Sequence, residues 1–138
     1  MSRNPYNEAV RRYFANPRHA GDLQARYPDR LTAEALESQA GCRVALGVEL
    51  EGQILRRIRY RVFGCPHLIA AAESSACRFE GHRAEKLRDF SVAQLMRELE
   101  VPIEKTGRML LLEDAVKRLS SAIGEVMTAD RPGPDGNQ

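Results

Sequence analysis

Ile58-Arg59-Tyr60-Arg61-Val62-Phe63-Gly64-Cys65-Pro66-His67-Leu68-Ile69-Ala70-Ala71-Ala72 decides the fold, because the hydrophobic period changes inside it. Before Gly64, apolar and charged residues alternate with the period of a half-buried strand. After Cys65, Leu68, Ile69, Ala72, Ala76 and Phe79 fall on one face of a helix. Pro66 suits the first helical position, where its missing N–H costs nothing, and Gly81 ends the run.

Working outward, Val44, Leu46, Val48 and Leu50 alternate with Ala45, Gly47 and Glu49. After Glu51-Gly52 the alternation resumes at Ile54, Ile58, Tyr60 and Val62, which predicts a β-hairpin. Ala35 to Ala40 offers a third strand, although Leu31 to Ser38 reads equally as a helical turn. Upstream, Tyr6, Ala9, Val10, Tyr13 and Phe14 predict a helix that Asn16-Pro17 stops, since a residue before proline avoids helical geometry. Arg18 to Arg30 reads as a loop. Downstream, Ser91 caps a short helix carrying Val92, Leu95, Met96 and Leu99, and Val101-Pro102 breaks it. Leu112, Val116, Leu119, Ile123 and Val126 form the stripe of a longer final helix.

The expected fold is therefore α+β: a small antiparallel sheet of about three strands with helices packed on one face. Residues 1–129 are expected to form one domain around Leu68, Ile69, Ala72, Leu112, Val116, Leu119 and Ile123. The segment from Asp130, with Pro132, Gly133, Pro134 and Gly136, is expected to be a disordered tail.

A chain of 138 residues with 43% hydrophobic content can bury a single core. A net charge of +2 with both signs interspersed does not call for nucleic acid. The run Arg56, Arg57, Arg59, Arg61 reads as the solvated face of a strand, with a partner-docking stripe as the alternative. No stretch approaches the roughly 18 apolar residues of a membrane span, and no signal-peptide core opens the chain, so a cytosolic location is expected. Three cysteines without framework spacing suit free thiols or metal ligands better than disulfides.

Cys65 stands where a strand hands over to a helix, and the helix N-terminus there favours a thiolate. A nucleophile, a soft-metal ligand and a small buried residue at a packed corner all fit it. Cys42 opens the first hairpin strand, so antiparallel pairing brings it to the same sheet end as Cys65. Cys77 lies 12 residues beyond Cys65, about 18 Å along a straight helix, and reads as a spectator thiol. His67 reads as a surface imidazole, or as a ligand bending back toward Cys65. No role is assigned to His19 or His82, and Glu113-Asp114 reads as solvated.

Several segments, in order, resemble the IscU/NifU N-terminal family of iron–sulfur cluster scaffolds. Tyr13-Phe14-Ala15-Asn16-Pro17-Arg18-His19-Ala20-Gly21 resembles the end of that family's first helix and its Asn-Pro-Arg-Asn-x-Gly loop. Phe63-Gly64-Cys65…Ile69-Ala70 resembles its aromatic-Gly-Cys-Gly-x-x-Ile-Ala signature, and Glu113-Asp114-Ala115-Val116-Lys117 resembles a segment of its last helix. The resemblance implies a non-catalytic scaffold on which a [2Fe–2S] cluster is assembled with sulfur from a cysteine desulfurase. It implies three cysteine ligands with an aspartate and a histidine nearby.

Here the ligand set is incomplete. Cys65 matches the family's second cysteine. Ala40-Gly41-Cys42 stands against Cys-Gly-Asp, so Cys42 takes the aspartate position or, with a shorter turn, the cysteine position. Gly107-Arg108-Met109 replaces His-Cys-Ser, which puts a cation where the third thiolate belongs. Only Pro102 and Lys105 remain of the Leu-Pro-Pro-Val-Lys that docks a specialised Hsp70, which speaks against that partner. The implied ligands are Cys42, Cys65 and His67, for iron, a [2Fe–2S] cluster or zinc. Missing ligands would come from a second chain in a homodimer, a partner or glutathione. The alternatives are an interaction protein for the desulfurase and a persulfide acceptor through Cys65.

Overall fold

A computed structural model describes residues 6–24 and 27–130, so the expected disordered tail beyond Asp130 lies outside the described residues. In chain order it has α1 (Glu8–Ala15), β1 (Leu31–Gln39), β2 (Cys42–Glu51), β3 (Ile54–Phe63), α2 (Pro66–Phe79), α3 (Val92–Leu99) and α4 (Thr106–Asp130). Short 3-10 turns span Ala84–Asp89 and Ile103–Lys105. The sheet is an antiparallel meander in the order β1-β2-β3. The ambiguous segment after Arg30 is thus a full strand.

Both hairpins close through two-residue turns. Gln39 pairs with Cys42, and Ala40 and Gly41 take φ of 53° and 78°, the type I′ geometry that follows the sheet's twist. Glu51 pairs with Ile54, and Gly52 supplies the positive φ required at the first central position of a type II′ turn. The second hairpin is not regular. A bulge at Glu49/Leu50 shifts the pairing from Glu49–Arg57 to Leu50–Leu55. An extra residue bends the strand and reverses its inside-out order, so Leu55 rather than Ile54 enters the core.

Each arginine of the expected solvated run meets a carboxylate: Arg56 with Glu51, Arg57 with Glu49, Arg59 with Glu80 and Arg61 with Asp22. The outward amides of β3 are also occupied. Leu55 exchanges hydrogen bonds with His82 and Gly81, and Tyr60 does so with His19 and Gly21. Between them, Ile58 N–H donates to Glu80 Oε2 and Ile58 carbonyl accepts from Arg59.

Ala33, Ala35, Val44, Leu46, Val48, Leu50, Ile58 and Tyr60 face the helices. Helix α4 lies across β1 and β2, α2 packs on β3, and α1 rests on α2. Helix α4 starts at Thr106, more than one and a half turns before Leu112, and so also brings Met109 and Leu111 into the core. Ile69 is only partly buried against the core, because it sits at the edge of the α2 stripe. Asn7 and Ser91 cap α1 and α3 by accepting from Val10 N–H and Gln94 N–H.

Leu112 is fully buried beneath the sheet. Leu112→Ala is expected to lower stability by about 2–5 kcal/mol, measured as a shifted urea midpoint with an unchanged slope.

Candidate functional site

The strand-to-helix corner is built by a missing side chain. A Cβ on Gly64 would lie 2.8 Å from Leu68 Cδ2 and 3.6 Å from Cys42 Sγ. Leu68 is fully buried and has little freedom to yield. Glycine therefore lets Leu68 of α2 pack closely over the corner, and the Arg43–Phe63 pairing puts Cys42 and Cys65 at the same end of the sheet.

Cys65 is the N-cap of α2, its carbonyl accepting from Leu68 and Ile69 N–H. Burial opposes ionisation of its half-buried thiol. The Leu68 N–H, the Arg108 guanidinium, the Lys105 charge and the His67 N–H outweigh that, and its pKa lies below the ordinary thiol value. Arg108, in the first turn of α4, faces Cys65 first and Cys42 second, and both keep it firmly charged. Cys42 is buried, whereas Ala40 is exposed at the turn tip.

His67 is not at the surface. Its side chain is buried, with Nδ1 3.4 Å from Lys105 Nζ, the Tyr6 ring 4.8 Å away, and Nε2 without a hydrogen-bond partner. Burial and the Lys105 charge both lower its pKa; Lys105 Nζ can only donate, so Nδ1 accepts and the proton of the neutral ring sits on the unpartnered Nε2. Among the described residues, Cys42, Cys65 and His67 do not bring their ligand atoms within 4.8 Å of one another. The corner holds two thiols and a cation, not a preassembled three-ligand metal centre.

Residues 5–125 match the NifU-like N-terminal domain family. This chain belongs to that family. It is 27% identical over 113 residues to the iron–sulfur cluster assembly scaffold protein IscU of Azotobacter vinelandii, covering 81% of this chain and 88% of that protein. It is 28% identical to the mitochondrial iron sulfur cluster assembly protein 1 of Schizosaccharomyces pombe, covering 85% of this chain and 62% of that protein. The fold is similar to the crystal structure of the protein assigned as the SUF-system iron–sulfur cluster assembly scaffold of Fervidobacterium islandicum AW-1. That comparison has a TM-score of 0.63 at 13% identity, over 83% of this chain and 96% of that one. Scaffolds of this family bind [2Fe–2S] clusters and are not catalysts. No helix among the described residues is long and apolar enough to cross a membrane.

His19, to which the sequence alone assigns no role, is buried and bonded through its N–H and both ring nitrogens. Its N–H donates to Glu73 Oε1 at 3.0 Å, Nδ1 lies 2.6 Å from Glu73 Oε2, and Nε2 lies 2.9 Å from Glu80 Oε1. The available signal was Glu73, a carboxylate among the apolar residues of α2 that has to find partners once buried.

Arg108→Gln removes the cation facing the thiols. The inflection in the pH profile of Cys65 alkylation is expected to move to higher pH, with slower alkylation at neutral pH. An unmoved profile would show that Arg108 does not act on the thiol. Gly64→Ala is expected to destabilise the chain by about 1–3 kcal/mol in urea denaturation, through crowding at Leu68.

Proposed function

We propose that this chain serves iron–sulfur cluster assembly as a scaffold whose Cys42/Cys65 corner holds iron or a [2Fe–2S] cluster only weakly, or with ligands supplied by a partner. One observation carries this reading: two thiols converge at one sheet end while Arg108 stands against both. A cluster ordinarily takes four protein ligands, mostly thiolates. The corner supplies two, with His67 as a third that has to give up its Nε2 proton and swing toward them. A fixed guanidinium opposes a cation at close range. The same guanidinium favours an anionic thiolate, so the corner is set up to be charged before cargo arrives. The partner that fits is a cysteine desulfurase, which brings both sulfur and additional ligating groups. Zinc, completed by water or a carboxylate, is the simpler occupant of so short a ligand set.

A second reading rests on the lowered pKa of Cys65. Its thiolate attacks the outer sulfur of a partner's persulfide; the new S–S bond forms as the partner's thiolate leaves. Cys65 then carries the sulfur without metal.

Anaerobic reconstitution with iron and sulfide, followed by absorption spectroscopy and metal analysis, tests the first reading. The unmodified chain is expected to retain substoichiometric iron and sulfide, with retention rising when a desulfurase or glutathione is present. The Ala40→Cys/Arg108→Cys chain is expected to retain more alone, and Cys65→Ala to retain none. A stoichiometric, long-lived [2Fe–2S] cluster on the unmodified monomer would overturn it. Absence of metal under every condition, with a mass gain of one sulfur on Cys65 after exposure to a desulfurase, would establish the second reading.

A further inference from the structure

About three turns further along α2, a second group of ligating side chains closes on one point. His19, Glu73 and Cys77 each place a ligand atom within 4.8 Å of the other two. Glu73 and Cys77 are four residues apart on one helix face, and His19 reaches them from the loop paired to β3. We propose that His19 Nδ1, Glu73 Oε2 and Cys77 Sγ bind a divalent transition-metal ion of the zinc type, with a fourth position open to solvent beside Cys77.

The atoms not used for binding are already committed to orienting those that are. Glu73 Oε1 accepts from His19 N–H and from Tyr60 O–H at 2.9 Å, which turns Oε2 toward His19 Nδ1 and Cys77 Sγ. Burial and Glu73 push the Tyr60 phenol pKa up, so it remains a donor. His19 Nε2 faces Glu80, the carboxylate–imidazole–metal arrangement that fixes the ring and raises its basicity. Glu80 is itself anchored by Ile58 N–H and Arg59. Imidazole, carboxylate and thiolate together suit zinc, whereas magnesium and calcium take oxygen sets.

Charge closes as well. A divalent ion is balanced by the Glu73 carboxylate and the Cys77 thiolate, while Arg59 answers Glu80. Arg18 beside Cys77 opposes the ion. Without metal the site is bridged by protons. Binding releases the proton of Cys77 Sγ and the one shared between His19 Nδ1 and Glu73 Oε2. His19 and Glu73 are 3% and 1% exposed, and Cys77 is exposed, so the ligands are held from behind and the ion enters at the thiol.

Anaerobic cobalt(II) titration tests the site on a Cys42→Ser/Cys65→Ser chain, whose corner offers no thiolate. One saturable equivalent is expected, with intense visible d–d absorption and a thiolate-to-cobalt charge-transfer band that zinc bleaches. Adding Cys77→Ser is expected to remove that band and weaken binding at least about 10-fold, and Glu80→Gln to weaken it about 10-fold with the band retained. The same titration on a chain altered only at Cys77 reads the site without disturbing buried Cys42. There the loss is the thiolate band of one cobalt equivalent, with about 10-fold weaker binding of that equivalent and the circular dichroism unchanged. No saturable binding in the corner-substituted chain, or an intact band after Cys77→Ser, would overturn the proposal. Neither result depends on whether Cys42 and Cys65 hold a cluster.

Discussion

The close approach at Gly64 governs this structure. Where β3 hands over to α2, Leu68 of the new helix folds so closely over Gly64 that a Cβ there would crowd it, while Cys42 Sγ from the neighbouring strand sits at ordinary contact distance. Three consequences follow from the one contact. Cys65 becomes an N-cap and sits in the field of unpaired helix amides. Cys42, one strand away, becomes its neighbour. The first turn of α4, laid across the same end of the sheet, brings Arg108 over both.

Two thiols under a guanidinium make a site with opposed tendencies. The cation stabilises thiolate, which is what iron, zinc and persulfide sulfur all require, yet it repels the metal that thiolate would bind. In a relative with a third cysteine at that place, the repulsion would be replaced by a ligand. On the reading proposed above, the chain keeps the fold of its family and the strand-to-helix cysteine, and has altered the residue that closes the ligand set. On that reading, a scaffold so altered would take its final bonds from a partner.

The sheet and the corner were legible in the sequence because strand and helix periods are written directly in the order of residues. Val44 to Leu50 alternates cleanly, and antiparallel pairing then forces Cys42 beside Gly64-Cys65 without further information. The bulge was not legible. Arg56-Arg57 interrupts the alternation, but a doublet of charges does not say which apolar neighbour, Ile54 or Leu55, is turned inward. His67 was misjudged for a different reason: its burial comes from Lys105 and Tyr6, which approach from distant parts of the chain. His19 was invisible because a histidine in a loop has no period, and its partners lie more than 50 residues away.

The outward amides of β3 from Leu55 to Tyr60 are all engaged, by two loops and by the Glu80 carboxylate. Growth of the sheet by strand addition is therefore barred along that stretch, whether by a partner's strand or by another copy of the chain. A protein that approaches β3 there has to read side chains and loop surfaces, and cannot borrow affinity from backbone pairing. Such recognition is set by shape and charge, so it can be retuned by single substitutions without disturbing the fold. An edge closed in this way also guards that stretch of β3 against fibrous self-association by strand pairing.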